Sequence, residues 1–448
     1  DQNAWSEGNQ WTINSFFSRV NYTFANKYVI EGTIRADGSS RFDPDHRWGW
    51  FPGVNAAWRV GEEGFLKRLG WFEDLKVRAS YGEMGNQSGI GLYDYIQLIS
   101  LSNDYYPFGA GVKGQMATSG NIISTSRTWE TIQTTNVGFD FSTLNNRLYG
   151  SFDYFWKENK NMLIPKTYPS MLGADAPSTN SGHLSIHGWE ISLGWRDQIK
   201  DFSYSVRFNI SDAKNKVVDR VGSNLIKLGN NETPTGYPLN SYFGYEFDGI
   251  IQNEQELEAY KSRFSEGGIP GDLSVGDAMY KDLDGDGKLS VLGDGKEGSG
   301  DVKYLGDKNP RYNFGFNLST PIRLSMAWKG FDLSAFIQGV GRRTMFLEGE
   351  SRCPMPEAWY QSAEYWYGKT WTPERTDAQY PAITLKDKRN YNYYVSTNTK
   401  FNVAYARLKN LQFGYTIPQT LTSKAGLQKV RVYFSGEDLF EVHNTPNG

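Results

Sequence analysis

The residues whose types and spacing best suit chemistry lie past the middle of the chain, in Asp282-Leu283-Asp284-Gly285-Asp286-Gly287-Lys288-Leu289-Ser290. Carboxylates at alternate positions followed by a turn glycine form the opening half of an EF-hand calcium loop. In that frame Asp282, Asp284 and Asp286 point three oxygens inward, the Lys288 backbone carbonyl supplies the seventh position and Ser290 the ninth. The twelfth position, which should carry a bidentate carboxylate, is Gly293, and Asp294 follows one residue later. Coordination by Asp294 therefore requires the extra residue to be absorbed as a bulge. The expectation is a structural Ca²⁺ that staples the loop, set against a solvated Asp/Gly turn.

No other constellation points to a reaction. The four histidines are His46, His183, His187 and His443; His183 and His187 are four apart, but the chain from Trp189 alternates as a strand, so both are expected to be loop histidines. Cys353 is the single cysteine, which excludes a disulfide framework and a Cys-based zinc site. Neither a Gly-x-Ser-x-Gly elbow nor a phosphate-binding Gly-x₄-Gly-Lys-Ser/Thr loop occurs. With 50 acidic residues a pair for glycoside hydrolysis can always be imagined, and nothing singles one out. No catalytic residue and no cofactor beyond the calcium is assigned, and the chain is not expected to be an enzyme.

The elements that must position that loop are strands. Apolar residues recur with period two: Phe16, Val20, Tyr22 and Phe24; Ile30, Ile34 and Ala36; Val54, Ala56, Trp58 and Val60; Leu75, Val77, Ala79 and Tyr81. Charged and amide residues such as Arg19, Asn21, Glu31, Thr33, Asn55 and Arg78 fill the other face. Similar segments follow around residues 137–141, 148–156, 189–195, 202–210, 312–318, 331–337, 411–417 and 430–434. Helical spacing holds only over Glu254–Phe264. About a dozen strands of about ten residues suit tilted bilayer crossings, whereas soluble strands run about five or six.

Connections alternate in length. Short turns are expected at Ala25–Lys27, Gly61–Glu73, Leu144–Arg147, Gln198–Lys200, Lys329–Gly330 and Pro418–Gln428. Between them lie long Gly/Asn/Asp/Pro-rich segments: Asp37–Trp48, Gly82–Thr134, Asn159–His187, Asp212–Asn309 and Gly339–Lys400. Brief periplasmic turns and extended extracellular loops mark outer-membrane barrels. The fold class is thus all-β, a transmembrane antiparallel β-barrel, with residues 250–309 as an extracellular loop insertion carrying the acidic motif.

Composition agrees. Aromatic residues are abundant (Trp 14, Tyr 28, Phe 26), yet Lys+Arg 47 nearly balances Asp+Glu 50, so no nucleic-acid partner is expected. No apolar run is long enough for a membrane-spanning helix. Loop aromatics (Trp48, Trp50, Tyr105, Tyr106, Trp359, Tyr360, Tyr365, Trp366, Tyr367, Tyr391–Tyr394) are expected mostly to pack or to form a headgroup girdle. The chain shows neither an N-terminal signal nor a closing segment, so it is expected to be a fragment of a longer protein.

An ordered series of segments resembles the SusC/RagA-like TonB-dependent outer-membrane transporters of Bacteroidetes. It includes Gly32-Thr-Ile-Arg-Ala-Asp-Gly-Ser-Ser-Arg41-Phe, Arg47-Trp-Gly-Trp-Phe-Pro52, Leu75-Lys-Val-Arg-Ala-Ser-Tyr-Gly82, Thr134-Thr-Asn-Val-Gly-Phe-Asp140, Gly188-Trp-Glu-Ile-Ser-Leu-Gly194, Asn309-Pro-Arg-Tyr312, Trp328-Lys-Gly-Phe-Asp-Leu333 and Leu408-Lys-Asn-Leu411. The resemblance implies a barrel of 22 strands closed by a plug. Strand parity then makes these strands ten to twenty-one, with the plug and the final strand outside the chain. It also implies multi-pass residence in outer-membrane lipid, energy from the TonB-ExbB-ExbD complex acting on the plug, and a SusD-like surface lipoprotein as partner. The implied activity is import of oligosaccharides, with peptides as the alternative substrate. The rival readings are an outer-membrane barrel enzyme and a soluble carbohydrate-binding β-protein.

Overall fold

A computed structural model describes residues 8–108, 112–119, 122–165, 178–199, 202–220, 228–229, 234–292, 300–323, 329–355, 361–384 and 387–445. Twelve long strands form one sheet: β1 (Ile13–Phe24), β2 (Tyr28–Ser39), β3 (Trp48–Trp58), β4 (Phe72–Asn86), β5 (Glu130–Thr143), β6 (Leu148–Pro165), β7 (Ser178–Ile199), β8 (Phe202–Asp219), β9 (Arg311–Arg323), β10 (Lys329–Arg342), β11 (Tyr405–Ile417) and β12 (Val430–His443). Each lies beside its neighbours in sequence, so the sheet is a plain meander. The chain divides into two compact units, residues 1–189 with 214–223, and residues 190–213 with 224–448.

In the first unit the register fixes which side chains share a face. Tyr22, Ile30, Ala56, Ala79, Val137 and Tyr154 form one cross-strand row, and Phe24, Tyr28, Trp58, Val77, Phe139 and Phe152 the next. The β1–β2 connection is the short loop Ala25–Lys27, in which Ala25 and Asn26 both take positive φ, the backbone twist that suits tight antiparallel hairpins. Lys27 N–H donates to the Phe24 carbonyl at 3.0 Å. In the second unit β10, β11 and β12 set Phe331, Tyr415 and Val432 in one row and Leu333, Phe413 and Phe434 in another.

The strands outrun the alternation that announces them. The wall strands reach into the segments expected as long loops, as far as Ser39, Asn86, Pro165, Asp219 and Arg342 on one side and back to Trp48, Glu130 and Ser178 on the other. The correction has a physical cause. Beyond the bilayer both faces of a strand meet water or loop, so the apolar/polar period lapses while the ladder continues. His183 and His187 are corrected for the same reason: both sit in β7, and His183 Nε2 is hydrogen-bonded to the Glu158 carboxylate. Lys200, Trp328, Trp359 and Tyr360 lie outside the described residues.

The loop between β8 and β9 has its own dry core. Tyr245, Ile251, Leu257, Tyr260, Leu273, Ala278 and Tyr280 pack together, joined by Tyr391 from the loop that precedes β11. The short strands Ser241–Tyr245 and Val302–Asp307 pair with each other, as do Phe247–Ile250 and Ala278–Tyr280. The helix Glu254–Lys261 is capped by Asn253, whose side chain accepts from Glu256 N–H. Residues 250–309 thus share their core with Tyr245 before them and Tyr391 after them.

Candidate functional site: a two-faced sheet and an acidic loop

The two faces of the sheet differ in what they offer. On the apolar face the side chains are exposed: Phe16 and Val20 retain 68% of their surface, Tyr22 62% and Ile30 56%. In water such continuous apolar rows would not persist uncovered; hydrocarbon covers them without cost. The opposite face is a polar network. Glu31 accepts from Arg19 Nε at 2.7 Å and from the Asn21 and Asn55 amides at 3.2 and 3.1 Å. Arg78 lies between two carboxylates, with Asp140 oxygens 3.1 and 3.2 Å away and Asp153 Oδ2 at 2.6 Å. A side chain at Gly138 would meet the Asp153 carboxylate at 2.7 Å, so the glycine makes room for that pair. The second unit repeats the device, with Asp332 accepting from Arg431 Nε at 3.0 Å and Gln412 from the same guanidinium at 3.2 Å.

Near the Trp48 end of β3 the polar face carries an apolar cluster, in which Phe51 of β3 meets loop residues. Phe42, Phe51, Ile90 and Trp129 are buried together, and the Trp129 indole donates to the Arg47 carbonyl at 2.8 Å. Gly49 and Gly85 lie under this cluster, where an added Cβ would fall 2.5 and 2.2 Å from the Phe51 ring. Bare backbone at these two positions lets the ring lie flat on the sheet. Among the aromatics expected to pack, Tyr365, Trp366, Tyr391 and Tyr393 are buried and Tyr367 is exposed in its loop; Trp48 and Trp50, expected in a loop, instead lie in β3, exposed on its apolar face.

The acidic loop is organised by its own carboxylates. Asp282 accepts from Gly285 N–H at 2.7 Å and Gly287 N–H at 2.9 Å, and both glycines have φ near +75°, a conformation that side chains resist. Oxygens of Asp282, Asp284 and Asp301 lie within 4.8 Å of one another. Asp286 is outside this group; its carboxylate accepts from Lys288 N–H at 2.7 Å. Ser290 N–H donates to Asp301 at 2.7 Å, and Leu283 N–H to the other Asp301 oxygen at 2.6 Å. Asp294 lies outside the described residues.

Asp301 is the residue that sequence reasoning missed, because a twelve-residue frame ends before it. It is fully buried. Burial holds its carboxyl above the usual carboxylate range, and the charges of Asp284 and Asp282 push the same way against its two backbone donors. Three converging carboxylates form a hard-oxygen donor set that fits a divalent cation such as Ca²⁺.

Comparison with known proteins settles the class of the sheet. The family described as "TonB dependent receptor-like, beta-barrel" matches residues 1–243. The chain belongs to this family. Its twelve strands are therefore wall strands of a TonB-dependent outer-membrane barrel; their apolar face meets lipid and their polar face the lumen. Among curated relatives of this TonB-dependent barrel, TonB-dependent receptor P3 of Formosa agariphila is 32% identical over 98% of the chain and 42% of its own length. TonB-dependent receptor SusC of Bacteroides thetaiotaomicron is 32% identical over 55% of the chain and 26% of its own length. The chain thus spans about two fifths of the length of the first of these relatives. Among solved structures the RagAB peptide transporter shares the fold, with a TM-score of 0.75 at 23% identity over 98% of the chain and 45% of the matched chain. These relatives are named as receptors and transporters.

Proposed function

We propose that the protein containing this chain imports a nutrient actively across the outer membrane, with an oligosaccharide as substrate. The observation that carries the transport reading is the two-faced wall: exposed apolar rows on one side and ion-paired Glu31, Arg78 and Asp153 on the other. Such a wall supplies a wet path through hydrocarbon and no reacting group. In the SusC/RagA-like scheme a plug closes that path, the TonB-ExbB-ExbD complex drives its opening, and a SusD-like surface lipoprotein caps the extracellular loops. A peptide is the second candidate substrate, supported by the shared fold with the RagAB peptide transporter. For the acidic loop the same proposal assigns Ca²⁺ held by Asp282, Asp284 and Asp301, as a structural staple remote from any chemistry.

The test is uptake by cells carrying or lacking the full-length gene, measured with labelled oligosaccharides and labelled peptides, with and without a protonophore. Gene-dependent, energy-dependent entry of an oligosaccharide is the expected result. Entry of peptides alone would replace the substrate, and entry indifferent to the protonophore would overturn active import.

A further inference from the structure

The β3–β4 connection is short but not plain. After β3 the chain makes a 3₁₀ turn, Val60–Glu62, and then a helix, Gly64–Leu69, ended by Gly70 at φ +63°. The turn is clamped to the wall at Gly61, where an added Cβ would sit 2.8 Å from the Leu75 backbone nitrogen. Glu63, the residue before the helix, is tied to the lipid-facing side: its carboxylate accepts from Lys27 Nζ at 2.9 Å, Tyr28 Oη at 2.8 Å and Trp58 Nε1 at 3.2 Å. These donors hold Glu63 far below the usual carboxylate range, at about 2, so it stays ionised at the membrane edge. The helix therefore begins beside the aromatic end of the apolar rows.

What the helix presents next is not explained by a crossing strand or a tight turn. Phe65 and Leu69, one turn apart, are 59% and 51% exposed, and Trp71 just beyond is 66% exposed. Lys67 and Arg68 share the exposed surface; Lys67 pairs with Glu62 at 2.5 Å, and Arg68 has no ion-pair partner among the described residues. An exposed Phe/Leu/Trp group beside cations, continuous with a lipid-facing surface, has the composition of an interfacial anchor.

We propose that Gly64–Leu69 is a membrane-surface anchor: Phe65, Leu69 and Trp71 enter the headgroup–acyl boundary of the periplasmic leaflet, and Arg68 binds a phospholipid phosphate there. The proposal rests on the reading of β1–β6 as lipid-facing wall with the short turns on the periplasmic side. Charge complementarity and continuity with the lipid face favour phospholipid over a protein occupant. The anchor gives this turn a task beyond reversing the chain, because it fixes the depth of β3 and β4 in the bilayer.

The test uses the full-length protein in phosphatidylethanolamine/phosphatidylglycerol vesicles, with Cys353 replaced by Ser and an environment-sensitive probe on Phe65→Cys or Leu69→Cys. Val54→Cys, in the middle of the apolar face, serves as the control. Phospholipids brominated near the headgroup should quench the probe at 65 and 69, and deep-brominated lipids the probe at 54. Water-like, unquenched emission at 65 and 69 with quenching at 54 would overturn the anchor alone. Absence of quenching at all three would overturn the wall reading beneath it. Arg68→Ala should lower co-purified anionic phospholipid about fivefold, the effect of one surface charge, and Arg68→Glu more. Unchanged lipid retention in both variants would remove the phosphate contact.

Discussion

The wall and the β8–β9 loop use the same residues in opposite senses. In the wall Phe16, Val20, Tyr22 and Ile30 are exposed on one face while Glu31 and Arg78 pair on the other. In the loop Tyr260 and Tyr280 are buried together with Tyr391 from the loop before β11, their hydroxyls tied inward: Tyr260 and Tyr391 share a bond of 2.8 Å, and Tyr280 donates to the Tyr391 carbonyl at 2.9 Å. Burial raises the Tyr280 and Tyr391 hydroxyls well above their ordinary range, so both stay neutral donors at any physiological pH. The difference teaches that aromatic content alone does not locate a core; the solvent on each side does. The wall takes its apolar solvent from the bilayer, and the loop has to build its own.

Four comparisons break or sharpen that contrast. The largest effect belongs to the loop: Tyr280→Ala in the full-length protein removes a fully buried ring and two hydroxyl contacts and should destabilise the loop by about 3–5 kcal/mol. Hydrogen exchange confined to the residues around 241–309 measures it; loss spread equally over the wall strands would contradict an independent loop core. On the wall, Val54→Arg places a charge in hydrocarbon and should cost about 2–4 kcal/mol by denaturant titration in vesicles. Ser80→Lys, on the polar face of the adjacent strand, should stay within about 0.5 kcal/mol, and equal costs would erase the two-faced reading.

Calcium gives a smaller and conditional effect. At free Ca²⁺ a hundredfold above its dissociation constant the loop should gain about 2.7 kcal/mol, and Asp284→Ala should abolish the gain. Protection unchanged by chelation would leave the three carboxylates without a cation. The smallest effect is electrostatic. Lys281 and Lys303 hold Glu246 far below the usual carboxylate range, at about 2. A depressed carboxylate contributes stability above its unfolded value, and the contribution is lost as pH falls through the folded one. The part of loop protection that Glu246 supplies, the parent profile minus that of Glu246→Gln, should therefore be level from neutral pH to about 4.5 and decline toward about 2. A Glu246→Gln profile identical to the parent would show the pair to be an idle surface contact.

The middles of the strands were legible because one side of each meets hydrocarbon and the other water, which stamps a period of two on residues such as Val54, Asn55, Ala56 and Ala57. Strand ends carried no such stamp. Ser39, Asn86 and Ser178 continue the ladder where both faces are polar, and His183 reads as loop until its partner Glu158 on β6 is seen. The helix Glu254–Lys261 was legible from its spacing. In the acidic loop, Asp282 and Asp284 announce themselves through the alternate carboxylates and Gly285. Asp301 does not, because a segment of the loop intervenes and only the fold returns it to the cluster. Its burial, not its spacing, marks it.

The neighbour-only order of β1 to β12 carries a consequence for biogenesis. Every strand finds its partner in the wall strand before or after it, so strands can be laid down in order, like slats added to a fence, even where a long loop separates β8 from β9. Ordering of this kind confines an error to the slat where it occurs. Among these twelve strands no pairing skips a slat, so the longest wait is for the loop between β8 and β9 to be completed.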